Sequence, residues 1–108
     1  MTPVLNIVSN EGATIVVSVW VQESDGTAAD LTGYTGSVQV RPDPLSDEVL
    51  ATGTVVADDG GLVTATIPAS QTVDWSAGEY DVRLVGPAGA VEYICRGTIK
   101  LEPSVTQP

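Results

Sequence analysis

From Thr14 to Gln22 the chain alternates with a period of two. Ile15, Val17, Val19 and Val21 fall on one face, and Val16, Ser18, Trp20 and Gln22 on the other. Only an extended strand sorts such a run into two faces, and this alternation belongs to an antiparallel sheet with one side on a core. Trp20 sits on the less regular face and is expected to be partly exposed. The rhythm recurs down the chain. It predicts strands over Leu5–Val8, Thr14–Gln22, Tyr34–Arg41, Val49–Val56, Leu62–Ile67, Gly78–Val85 and Ala90–Leu101. Val38, Val40, Val63, Ala65 and Ile67 are expected inward.

Turn chemistry punctuates these runs. Ser24-Asp25-Gly26-Thr27 supplies a glycine for positive φ, Arg41-Pro42-Asp43-Pro44 ends a strand because proline cannot donate to a ladder, and Asp58-Asp59-Gly60-Gly61 is a hairpin signal. Leu31 is expected to plug the core edge. Gly53 weakens its strand and suggests a sheet edge. Residues Pro44 to Glu48 are the candidate mobile loop. Ser70 is placed to cap one helical turn running to Asp74.

The last two strands allow a register test. A loop over Gly86–Gly89 would pair Val85 with Ala90, setting Arg83 against Glu92 and Glu79 against Arg96 on one face. Leu84–Val91, Val82–Tyr93 and Tyr80–Cys95 would then meet on the other. A slip of one residue would exchange the faces.

One domain of 108 residues is expected, with terminal arms at 1–4 and 102–108. Phe is absent and Met occurs once, so the core rests on aliphatic side chains, three Tyr and two Trp. Cys95 is the single cysteine, which excludes an intrachain disulfide and reads as a buried, inert thiol. With no His, the chain lacks the usual base for a nucleophile and the usual zinc ligand, so no enzyme, catalytic residue, cofactor or metal is expected. Asp58 and Asp59 lack the spaced acids of a calcium loop and read as a polar hairpin tip. The formal charge of −10 disfavours nucleic acid as a partner. No apolar run approaches a membrane span, and the start of the chain has no basic and apolar leader pattern, so synthesis in a cytoplasm is expected.

Contact residues are the remaining candidates. Trp75 lies in the irregular connection before Gly78, where interface anchors occur. Trp20, Pro44 and Leu45 complete the candidate protein interface. If the chain were a carbohydrate- or host-surface-binding module, Trp20 with Tyr34 or Trp75 would instead form an exposed row.

Seven evenly spaced strands, with Tyr80 after a corner at Gly78 like the hydroxyl-bonded tyrosine corner of such domains, point to an all-β, immunoglobulin-like antiparallel sandwich. Asp25-Gly26, Asp30-Leu31-Thr32-Gly33-Tyr34, Asp59-Gly60-Gly61, Ile67-Pro68-Ala69 and Gly78-Glu79-Tyr80-Asp81 follow one another in an order that carries a resemblance. Over Leu5 to Leu101 the chain resembles the immunoglobulin-like structural modules of tailed bacteriophages, in particular the N-terminal domain of baseplate upper proteins. The resemblance implies a virion structural protein, made in the host cytoplasm, without catalysis. It implies docking on other virion proteins of the capsid (as decoration) or the tail and baseplate, in multiple copies of a symmetric assembly. The chain stops at Pro108 without a receptor-binding extension, which favours an accessory piece.

Overall fold

The computed structural model describes residues 3–23, 25–58, 60–103 and 105. Ser24, Asp59 and the outermost parts of both expected arms lie outside these. Seven strands and one short helix follow in order: β1 (Ile7–Asn10), β2 (Ile15–Trp20), β3 (Thr35–Arg41), β4 (Ala51–Ala57), β5 (Leu62–Ile67), a 3-10 turn (Ala69–Gln71), β6 (Ala77–Val85) and β7 (Val91–Glu102). They form one hydrogen-bonded ladder in the order β1-β7-β6-β3-β4-β5-β2, in which β1 runs parallel to β7 and the other pairs are antiparallel.

The ladder folds over at β4. Its first half, from Ala51, pairs with β3, and its second half, to Ala57, pairs with β5; Thr54 faces both Ser37 and Thr66. Gly53 makes the crossing possible. A Cβ there would stand 2.2 Å from the Thr66 carbonyl oxygen and 2.9 Å from Cγ1 of Val38, closer than non-bonded atoms tolerate. The glycine therefore marks the strand shared by two layers, where an ordinary sheet edge was expected.

The two layers enclose one core. Val38, Val40, Tyr80, Val82, Leu84, Cys95, Ile99 and Leu101 come from the layer of β3, β6 and β7. Ile15, Val17, Val63, Ala65 and Ile67 come from β2 and β5. Leu31 plugs it from the β2–β3 connection at 3% exposure. Each fully buried Leu or Ile contributes about 1.5–3 kcal/mol. Tyr80 is the only aromatic among the buried residues of that core; Tyr34 and Trp75 pack against it half-buried.

Four expectations are corrected. The β6–β7 loop spans residues 86–90, closed by the Gly86 N–H on the Ala90 carbonyl at 2.8 Å, so Val85 faces Val91. A bulge then inserts Ile94: Arg83 faces Tyr93, but Val82 faces Cys95 and Asp81 faces Arg96. The expected Arg83–Glu92 and Glu79–Arg96 pairs do not form, and Val91 and Tyr93 point outward. The bulge resets parity, so that Cys95, Ile99 and Leu101 still reach the core. Second, the Tyr80 hydroxyl donates to the carbonyl of Leu5 at 2.7 Å, a long-range bond to the N-terminal segment rather than a local corner. Third, the helical turn is a 3-10 turn entered at Pro68, and Ser70 lies within it without capping it. Fourth, Pro3 and Val4, expected in an arm, lie along β7: the Arg96 N–H donates to Pro3 and the Leu5 N–H to Arg96.

Candidate functional site

The outward side chains of the two layers differ in chemistry. On the layer of β3, β6 and β7, alternate positions present Arg41, Glu79, Asp81, Arg83 and Arg96. Together with Asn6 and Tyr93 they line a groove of about 690 Å³. All three arginines of the chain converge there and match the three carboxylates of its lining, Asp43, Glu79 and Asp81. The rest of the chain therefore carries the whole formal charge of −10.

Within the groove, Arg41 is held in place. Its guanidinium donates to the Ser46 carbonyl at 2.8 Å and to Oε1 of Gln39 at 3.0 Å, which ties the β3–β4 loop to the sheet. Partial burial pushes the Asp81 carboxyl above its ordinary range, against the pull of Arg83 and Arg41. Arg83 and Arg96 stand on either side of the β6–β7 pairing, each with donors suited to a carboxylate, sulfate or polyol. Tyr93, 52% exposed, stands opposite Arg83.

The other layer is free of charge. None of the residues of β2, β4 and β5 is ionisable. Its outer face sets Val16 beside Thr66 and Thr54, Ser18 beside Thr64 and Val56, and Trp20 beside Leu62. Trp20 is 66% exposed, and Val16 and Val56 are exposed as well.

The sequence candidates separate. Trp20 ends β2 opposite Leu62, whereas Pro44, Leu45 and Trp75 lie at the far end, where β3 turns into β4 and β6 begins. Those ends are roughly 17 Å apart along β2. Leu45 is almost wholly exposed, on a loop closed by its own N–H on Oδ1 of Asp43 at 2.8 Å. Trp75 is half-buried, and its indole N–H donates to the Gln71 carbonyl at 2.7 Å, which gives it a packing role. Trp75 lies at the end away from Trp20, and Tyr34 and Trp75 are both half-buried against the core, so neither completes an exposed row with Trp20. Sequence reasoning missed the groove: Glu79, Asp81 and Arg83 share a face by alternation, but only the bulge brings Arg96 beside Asp81.

The remaining polar features belong to the scaffold. Oδ1 of Asp25 accepts the N–H and hydroxyl of Thr27 at 3.0 and 2.7 Å, and Oδ1 of Asp30 accepts those of Thr32 at 3.0 and 2.6 Å. Asp58 accepts the N–H groups of Gly60 and Leu62 with one oxygen. Thr72, fully buried, donates its hydroxyl toward the Ala13 and Ala69 carbonyls and so ties the β5–β6 connection to the β1–β2 turn. Cys95 is buried, and burial pushes its thiol up, which disfavours the reactive thiolate.

In comparisons with known proteins, no family model matches the chain and no curated protein matches it in sequence. Among solved structures, the titin M3 domain superposes with a TM-score of 0.51 at 17% identity, over 93% of this chain and 92% of that one. The fold is immunoglobulin-like. At that identity the likeness speaks for architecture alone.

Proposed function

We propose that the chain is a non-enzymatic structural module of a tailed-bacteriophage virion, an accessory piece docking on the capsid or on the tail and baseplate. The phage context rests on the sequence resemblance. The observation that supports docking is the placement of Trp20 and Leu45: two large apolar side chains exposed at opposite ends of one rigid sandwich. A piece that touches neighbours at both ends suits a repeated assembly better than a single ligand pocket does. The distinctive Asp25 to Tyr34 phrase agrees with this, since both of its carboxylates are spent on turns. Mass spectrometry of purified particles tests the reading: the chain is expected at a stoichiometric copy number, and its absence from the particle would overturn the proposal.

A second reading, a carbohydrate- or host-surface-binding module, draws on Tyr93, which lines the groove together with Arg83 and Arg96. It expects the full chain to bind acidic glycans on an array and to lose that binding on Tyr93→Ala. A blank array removes it.

A further inference from the structure

We infer that the free border of β2 pairs with the same border of a second copy of this chain, antiparallel, about a two-fold axis at Ser18. The inference stands apart from the virion reading, because it concerns the purified chain alone.

The Val21 N–H donates to the Gly61 carbonyl at 2.7 Å, continuing the register in which Val19 faces Val63, Val17 faces Ala65 and Ile15 faces Ile67. On the far side of β5, the Asp58 N–H donates to Leu62, so the even-numbered residues of β5 face β4 and the odd-numbered ones face β2. The odd residues of β2 thus spend their N–H and C=O groups on β5. Those of Val16, Ser18 and Trp20 point the other way, to a border with no strand on it among the described residues.

Native sheets protect such borders with charge, proline or a bulge. Ile15–Trp20 carries none of these. A second copy fits because the bonding set is self-complementary. With Ser18 opposite Ser18, Val16 comes opposite Trp20 of the second copy, and all three outward-pointing residues become hydrogen-bonded pairs. The exposed Trp20 then covers the exposed Val16 of the second copy. Charge supports the same occupant: copies of −10 repel, and the layer of β2, β4 and β5, with no ionisable side chain, is where they meet without opposing like charges along the strands. The border of β1 is its competitor, but β1 is shorter and carries nothing larger than Val8 on its outward face.

Sedimentation velocity of the full chain between roughly 10 μM and 1 mM is expected to show a reversible monomer–dimer step that stops at the dimer. Added salt is expected to tighten it, since only repulsion remains to be screened. Amide exchange at Val16, Ser18 and Trp20 is expected to slow as concentration rises. Ser18→Pro removes an N–H that faces away from β5, so the internal ladder survives. Trp20→Lys puts a charge on the exposed face. Each is expected to raise the dissociation constant about tenfold or more. If Ser18→Pro loses its fold by circular dichroism, Trp20→Lys and the exchange pattern decide. A monomer at every concentration, growth beyond the dimer (as β1-to-β2 pairing would give), or a dimer indifferent to the folded variants overturns the inference.

Discussion

Gly53→Ala tests the account of how one ladder becomes two layers. The added Cβ would lie 2.2 Å from the Thr66 carbonyl oxygen, 2.9 Å from its carbon and 2.9 Å from Cγ1 of Val38. Restoring ordinary contact requires a shift of roughly 1 Å in backbone that cannot rotate away. Overpacking of this kind costs about 1–3 kcal/mol. Stretching the ladder where Thr54 meets Thr66 forfeits about 1 kcal/mol more. Alanine returns about 0.5–1 kcal/mol by narrowing the unfolded ensemble. The net expectation is a loss of about 1–3.5 kcal/mol, a large share of the ~5–15 kcal/mol typical of a domain. In a thermal melt this appears as a drop of roughly 5–25 °C. Urea unfolding gives the same quantity through the midpoint, with the slope unchanged if only the native state is affected. Gly36→Ala serves as the comparison. Its Cβ would meet Cγ1 and Cβ of Val55 at 2.6 and 2.9 Å and Cδ2 of Leu84 at 3.0 Å, with no carbonyl oxygen among them, so a smaller loss is expected. A Gly53→Ala protein within about 0.5 kcal/mol of the parent would refute the crossing as described.

Tyr80→Phe deletes the hydroxyl that holds the Leu5 carbonyl at 2.7 Å. A loss of about 1–2 kcal/mol is expected in urea, with faster amide exchange at Leu5 and Arg96, and an unchanged midpoint would contradict the long-range role. Hydrogen bonds from Thr27 and Thr32 hold the Asp25 and Asp30 carboxyls below their ordinary range. Since the folded values lie below the unfolded ones, this stabilisation is present above the unfolded pKa and fades as pH falls through the folded one. The double variant Asp25→Asn, Asp30→Asn keeps the side-chain acceptors, so its urea midpoint is expected to fall less on acidification than the parent's. Parallel pH curves would show that these turns do not carry the effect.

Much of the scaffold could be read from single residues. The inward set Ile15, Val17, Val38, Val40, Val63, Ala65 and Ile67 follows from alternation, and each of these lies buried. Leu31 and Cys95 were legible for the same reason: a lone apolar side chain between turns, or a thiol among apolar neighbours, has little to gain in water. The end of the chain was less legible. Periodicity counts residues but does not see where a strand takes in an extra one, so Val91 and Tyr93 were assigned to the wrong face while Cys95 was assigned correctly. The candidate contacts were scattered for a related reason. Trp20, Pro44, Leu45 and Trp75 differ in burial and in which end they occupy, and neither property is written in the residues themselves.

Alternation and turn chemistry are local, set by φ, ψ and one or two neighbours, and they determined the number of strands and, ahead of the last one, their inward faces from the chain alone. The folding of the ladder at Gly53, the bulge at Ile94, the meeting of Arg41, Arg83 and Arg96, and the gathering of the uncharged β2, β4 and β5 into one layer depend on which strands become neighbours. That choice is made by burial of the whole core at once, and only the tertiary structure records it.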